Sequence, residues 1–225
     1  MPLTYPLVHI DDVAPERMNA GEGWAISEFR LPITKKEGSS TTAFHSRFRA
    51  GSSHKKHLHT DAEEYVYYIR GGGVAGAGEG RIEMRTGSFR LNPLNVEHWY
   101  WNQGGEELVE VVGFYTGAGS VEETGYVYKG EVTEEDVTRA AGPYAHPAGN
   151  VADVPPEEMD EGQGWRISEF RLLLSAREGC ASTLFHARFM PGAVHKKHLH
   201  ENCDEIYYII SGHGLAGAGP DRVEV

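Results

Sequence analysis

A chain of 225 residues, 40% hydrophobic and 24% charged, has the make-up of a globular protein with room for one large domain or two small ones. Its formal charge of −12, from 33 acidic and 21 basic residues without a long basic run, argues against a nucleic-acid partner. No apolar run reaches membrane-span length, and the leading MPLTYPLVHIDD lacks the basic patch and apolar core of a signal peptide, so no membrane contact and a cytoplasmic location are expected.

In chain order, APERM at 14–18 reads as a short helical turn. AISEFRL, TAFHSRF, EEYVYYIR, GVAGAG, RIEMRTG, SFRLNP, EHWYWNQ and ELVEVVGFYTG come next. Each is short, aromatic or β-branched, and bounded by glycine, proline or asparagine, which predicts an all-β sandwich or barrel. The glycine-rich 71–80 has no strand–loop–helix context and no lysine–serine ending, so tight strand turns explain it better than a phosphate loop. VTEEDVTRA at 132–140 is the one credible helical patch, with Thr133 as N-cap and acids in the first turn. GPYAHPAGN at 142–150 reads as a linker into the second half of the chain.

That second half repeats the first. GWAISEFRLP, FHSRF, HKKHLH and RIEM return as GWRISEFRLL, FHARF, HKKHLH and RVEV, all at one offset of 141 positions and without a gap. Two units are expected, 1–141 and 142–225, with a shared fold. Val225 matches Met84, so the second copy stops before anything equivalent to RTGSFRLNPLNVEHWYWN. Truncation is the favoured explanation, because an unfinished sheet exposes strand edges and apolar surface; strands supplied by another chain are the alternative. Cys180 and Cys203 have no cysteine counterparts in the first copy and read as free thiols.

His57 and His59 are two apart on a strand and share a face. A turn at TDAE returns Glu64 to that face, and His98 opens a later strand. Three imidazoles and one carboxylate suit a divalent transition metal, Mn²⁺, Fe²⁺, Co²⁺, Ni²⁺ or Zn²⁺, with positions left open for a substrate. His54 has the wrong parity to join them, which suggests a supporting or surface role. His45 and Arg47 share one strand face and Phe44 and Phe48 the other, so either face of that strand can be the covered one. Tyr68 lies on the face of Glu64 and Tyr100 on that of His98; each either lines a pocket or fills the core.

The pattern Gly51-x5-His57-x-His59-x4-Glu64-x6-Gly71 resembles the first cupin motif at every fixed position. Gly87-x5-Pro93-x-Asn95-x2-His98-x3-Asn102 resembles the second, with asparagine where the family usually has glycine. The repeat supplies Gly192-x5-His198-x-His200-x4-Glu205-x6-Gly212. The chain thus resembles a two-domain cupin, a bicupin, distantly similar to the oxalate decarboxylase-like members. The resemblance implies tandem jelly-roll (double-stranded β-helix) barrels, complete over the motif region 51–102 and incomplete in the second unit. It implies metal ligands His57, His59, Glu64 and His98 in the first unit and His198, His200 and Glu205 in the second. It also implies a carboxylate-binding role for Arg47 and Arg188, which stand four residues before the motif glycines. Asn95 is expected in the left-handed region, which asparagine tolerates.

The function expected is a metal-dependent enzyme of dioxygenase, decarboxylase or isomerase type. It would hold one divalent ion per complete site, Fe²⁺ or Mn²⁺ first, and act on a small anionic molecule bearing a carboxylate, hydroxyl or keto group. Arg47, Tyr68 and Tyr100 are the candidate catalytic residues. A metal-containing binding or sensing protein without turnover is the alternative, a purely structural cupin the third reading, and a homo-oligomer is expected.

Overall fold

The computed structural model describes residues 6–105, 107–139 and 142–225. Eleven strands precede the connection between the repeats: β1 (Trp24–Ala25), β2 (Glu28–Ile33), β3 (Thr42–Arg49), β4 (Ser53–His59), β5 (Glu63–Arg70), β6 (Gly73–Ala77), β7 (Gly80–Met84), β8 (Ser88–Asn92), β9 (His98–Trp101), β10 (Leu108–Thr116) and β11 (Tyr126–Gly130). After helix α1 (Glu134–Thr138) come β12 (Ala148–Asn150), β13 (Trp165–Arg166), β14 (Glu169–Leu174), β15 (Leu184–Arg188), β16 (Val194–His195), β17 (Leu215–Ala218) and β18 (Asp221–Glu224). Thr133 caps α1 as expected, in a reciprocal box with Asp136. The last residue of the helical stretch read from sequence, Ala140, lies outside the described residues. No described helix is long and apolar enough to cross a membrane.

Two six-stranded antiparallel sheets form the first unit. One runs β1-β4-β9-β6-β7, with β11 also on β4; the other runs β12-β8-β5-β10-β3-β2. Closed barrels were the expectation, and the structure corrects it: among the described residues no ladder joins the two sheets. The layers are linked by chain turns instead, as where β4 passes into β5 across residues 60–62. A jelly-roll sandwich results, with its core between the sheets.

Alternation along β5 explains both faces of the second sheet. Val66 and Tyr68 join Phe29, Phe44, Phe48, Val109, Val111 and Tyr115 in the core between the sheets. Tyr65 and Tyr67 point the other way, with Phe89, Leu91 and Val112, and meet Leu173, Leu174, Cys180 and Leu184 of the second repeat. This sheet is therefore covered on both sides, which is why its strands are apolar or aromatic on both. The same junction carries two matched ring pairs, His45 with Tyr208 (5.9 Å) and Tyr67 with His186 (6.0 Å). β12, from beyond the connection, adds its ladder to β8.

The second repeat forms only the pairs β13–β16, β14–β15 and β17–β18. Residues 204–211, the counterpart of β5, carry no ladder, and Tyr207, Ile209 and Ile210 are exposed. β5 is a strand because β8 and β10 flank it; no described residue flanks 204–211 in that way. Both cysteines are free thiols, Cys180 buried and Cys203 exposed.

One glycine shapes the core. Gly113 of β10 stands opposite Phe44 of β3, and a Cβ there would lie 2.1 Å from the Phe44 ring. That ring is buried and has nowhere to go. Gly113→Ala should therefore cost about 1–3 kcal/mol in urea unfolding; a change below about 0.5 kcal/mol would contradict this packing.

Candidate metal centre

Three strands bring four side chains together. β4 carries His57 and His59, β5 carries Glu64, and β9 carries His98. All four are buried, and one ligand-type atom from each lies within 4.8 Å of the others. His98 stands directly across the ladder from His57, and its Nε2 is 2.9 Å from the Glu64 carboxylate. Asn95 holds the turn before β9 at φ 62°, in the left-handed region expected for it, and its N–H donates to the His59 carbonyl.

Backbone carbonyls orient two of the rings. His57 Nδ1 is 2.6 Å from the Lys55 carbonyl, and His98 Nδ1 is 2.8 Å from that of Val96. A carbonyl only accepts, so Nδ1 carries the proton in each ring. In the neutral ring Nε2 then turns a lone pair toward the cluster. His57 Nε2 and both nitrogens of His59 have no hydrogen-bond partner, and His98 Nε2 meets the Glu64 carboxylate. Lone pairs converging beside a carboxylate in a buried space are matched by a cation, and the donor set fits a divalent transition ion.

The electrostatics agree. Burial pushes His57 well below its ordinary value, assisted by the neighbouring histidines. Burial also lowers His59 to about 4, against the opposing pull of Glu64. Burial alone would raise Glu64, but the adjacent His98 ring and the charges around it hold its carboxyl well below the usual carboxylate range. Near neutral pH His57 and His59 are thus uncharged and Glu64 ionised, the states that bind metal.

Around the cluster stand His54, weighed from sequence as a supporting or surface residue, and several residues that were not foreseen. His54 is buried and stacks on His57 with ring centroids 3.8 Å apart. A register irregularity between His54 and His57 lets both rings face the interior, while His54 stays outside the four-residue cluster, in the supporting one of the two roles expected for it. Asn92 donates to Glu64 Oε2 at 2.5 Å and accepts from Arg90 at 2.9 Å, so β8 aims the only anionic ligand. Tyr115 and Tyr126 pack their rings on His59 and His57, both at 4.9 Å. Next to the cluster is a cavity of about 20 Å³, lined by residues that include His54, Glu64, Tyr68, Arg90, Tyr100 and Tyr115.

Tyr68 and Tyr100 therefore reach the space beside Glu64, and Tyr100 donates to the Gly72 carbonyl. Arg47 does not, and the expectation that it points at the metal is corrected. The inward face of β3 belongs to Phe44, Ser46 and Phe48, which line the cavity. On the outward face Arg47 is bound by Glu110 at 2.6 Å and lies 3.4 Å from Glu28 and 3.5 Å from Asp11. Arg188 likewise lies 3.8 Å from Glu169. In the second repeat His198, His200 and Glu205 come within the same mutual reach, with Glu205 3.5 Å and 3.6 Å from the two rings, but all three are exposed.

No family model and no curated protein sequence matches the chain. Solved structures share its fold. Protein Ylba from E. coli superposes over 97% of this chain and 77% of its own, with a TM-score of 0.66 at 15% identity. Oxalate decarboxylase from Bacillus subtilis, a protein with Mn(II) centres, superposes over 79% of this chain and 56% of its own, with a TM-score of 0.55 at 11% identity. A cupin-like protein from Thermotoga maritima aligns over 48% of this chain and 80% of its own, with a TM-score of 0.42 at 23% identity. The likeness to the first two is one of fold, the two-sheet jelly roll.

Protein purified without added metal should contain about one divalent ion per chain by elemental analysis. The double change His57→Ala and His59→Ala should abolish it while leaving the β-sheet circular dichroism largely intact. Asn92→Ala should weaken metal affinity by about 10–100-fold. Acid should destabilise the metal-free fold. His54 and His59 titrate at about 3 and about 4 in the fold, mainly through burial, against an ordinary 6.5. Their contribution is complete above the ordinary value and is lost as pH falls from there toward the folded values, because only the unfolded chain takes up the protons. The urea midpoint of metal-free protein should fall between about pH 7.5 and about pH 5, and a constant midpoint would count against neutral burial of these rings.

Proposed function

We propose that the chain is a metal-dependent enzyme acting on a small molecule that bears a carboxylate beside a hydroxyl or keto group. The observation that carries this reading is the set of buried imidazole nitrogens of His57, His59 and His98, unpartnered in His57 and His59, that converge with the ionised Glu64. Fe²⁺ or Mn²⁺ is the favoured ion, with Zn²⁺, Ni²⁺ and Co²⁺ compatible with the same donors. When bound, such an ion supplies Lewis-acid polarisation of a substrate oxygen, and with Fe²⁺ or Mn²⁺ also redox chemistry.

The chain's own residues supply the rest. Asn92 keeps the Glu64 carboxylate turned to the cluster. The rings of Tyr115 and Tyr126 shield the histidines from water. Burial, then the nearby Glu64 charge, holds the Tyr115 phenol protonated far above neutrality, and its buried hydroxyl has no partner. That hydroxyl is placed to donate a hydrogen bond to a substrate oxygen as charge develops there. Oxidative cleavage, decarboxylation and isomerisation all fit this equipment.

A second reading, a metal-holding binding protein without turnover, draws on the size of the cavity, which accommodates about one water-sized group. Metal-loaded protein incubated with short mono- and dicarboxylic, hydroxy and keto acids separates the two. The enzyme reading expects oxygen uptake, carbon dioxide release or an isomerised product with at least one acid, reduced about 100-fold or more by Tyr115→Phe or Glu64→Gln. Tight retention of an acid with no product from any of them would establish the binder.

A further inference from the structure

We propose that Arg90 is the anion-recognition residue of this site, receiving one compact carboxylate group in the cavity beside the metal cluster. The proposal deepens the function proposed above and rests on it for the other end of the substrate.

Arg90 is buried, with 4% of its surface exposed, and lines the cavity together with Glu64. The ionised Glu64 acts on it across space and through Asn92, not by direct contact. One guanidinium nitrogen donates to Asn92, and the phenols of Tyr68 and Tyr144 lie beside it. Its Nε–H has no acceptor. Among the described residues no carboxylate lies within 4.0 Å of it, whereas Arg47 on the outer face is surrounded by three. A buried charge without a directly contacting counter-ion is costly, and a fold that keeps one has a use for it or a missing partner.

The surroundings specify that partner. Tyr115 adds a second unpartnered donor, its hydroxyl, to the same cavity. Two free donors, one cationic, call for an anion. The walls are otherwise largely aromatic and aliphatic, including Phe29, Phe44, Phe48 and Val111. In so apolar a setting charge attraction is strong and a neutral amide competes poorly. A space of about 20 Å³ holds about one water-sized group, so a carboxylate enters it by one oxygen and a bulky acid is excluded. A planar carboxylate matches the guanidinium fork, which an ammonium cannot reproduce.

The test uses the full chain loaded with Zn²⁺, its metal content fixed by elemental analysis, and titrated calorimetrically with formate and with formamide at constant ionic strength. Formate should bind and formamide should not. Arg90→Lys should weaken formate by about 10-fold or more at unchanged metal content. Tyr115→Phe, which removes one oxygen from a side chain that otherwise keeps its shape, should weaken it several-fold and serves if Arg90→Lys does not fold. Equal formate affinity in the folded variants overturns the proposal. So does a loss of metal in Arg90→Lys, which would make Arg90 a positioning residue for Glu64 through Asn92. If the wild-type chain takes up no metal, the metal reading fails on its own. Thermal unfolding of the metal-free proteins then decides for Arg90: formate protection of wild type but not of Arg90→Lys supports it, and equal or absent protection overturns it.

Discussion

The site depends on two hydrogen bonds from imidazole to backbone. His57 and His98 give their Nδ1 protons to the carbonyls of Lys55 and Val96. These bonds fix which nitrogen is left bare and where it points. Each carbonyl lies two residues before its histidine on the same segment of chain, so local backbone geometry sets the ligand direction. The exposed His198 keeps the same bond to Lys196. The local device is therefore present in both repeats, and burial is what separates the two sites.

Burial comes from the layers. In the first repeat β8, β9 and β10 complete the two sheets, so Glu64, Asn92 and His98 meet in a dry interior. Low dielectric there keeps His57 and His59 neutral, while the charges around Glu64 keep it ionised. The lysines of the hexapeptide serve a different end. Lys55 reaches Glu131 and Lys56 reaches Asp136, tying down the segment that carries Tyr126 across the cluster. One short strand is thus both a ligand set and an anchor for its cover.

The four-residue cluster was legible because period-two spacing and a tight return from His59 to Glu64 are local facts. So were the cap at Thr133 and the left-handed Asn95. Two kinds of information were not local. Parity leaves His54 between a supporting and a surface role, and the irregular register between it and His57, which turns it inward, is not visible in the spacing. Resemblance singled out Arg47, and Arg90 was passed over because periodicity separates two faces without saying which is inside. In SFRLN the apolar Phe89 and Leu91 look outward and the polar Ser88, Arg90 and Asn92 look inward, the reverse of the usual assumption. Packing of the second repeat on the outer face makes that inversion possible, and only the tertiary structure shows it.

The two ring pairs at the junction of the repeats have a further meaning. His186 and Tyr208 are the repeat counterparts of His45 and Tyr67, so His45 with Tyr208 and Tyr67 with His186 are one contact made twice, each unit giving what the other receives. This is the reciprocity of a two-fold homodimer interface. A solitary ancestor carrying both halves would have covered its aromatic outer sheet by meeting a copy of itself. With both halves on one chain that contact is intramolecular and independent of concentration, and the seam between them is self-complementary.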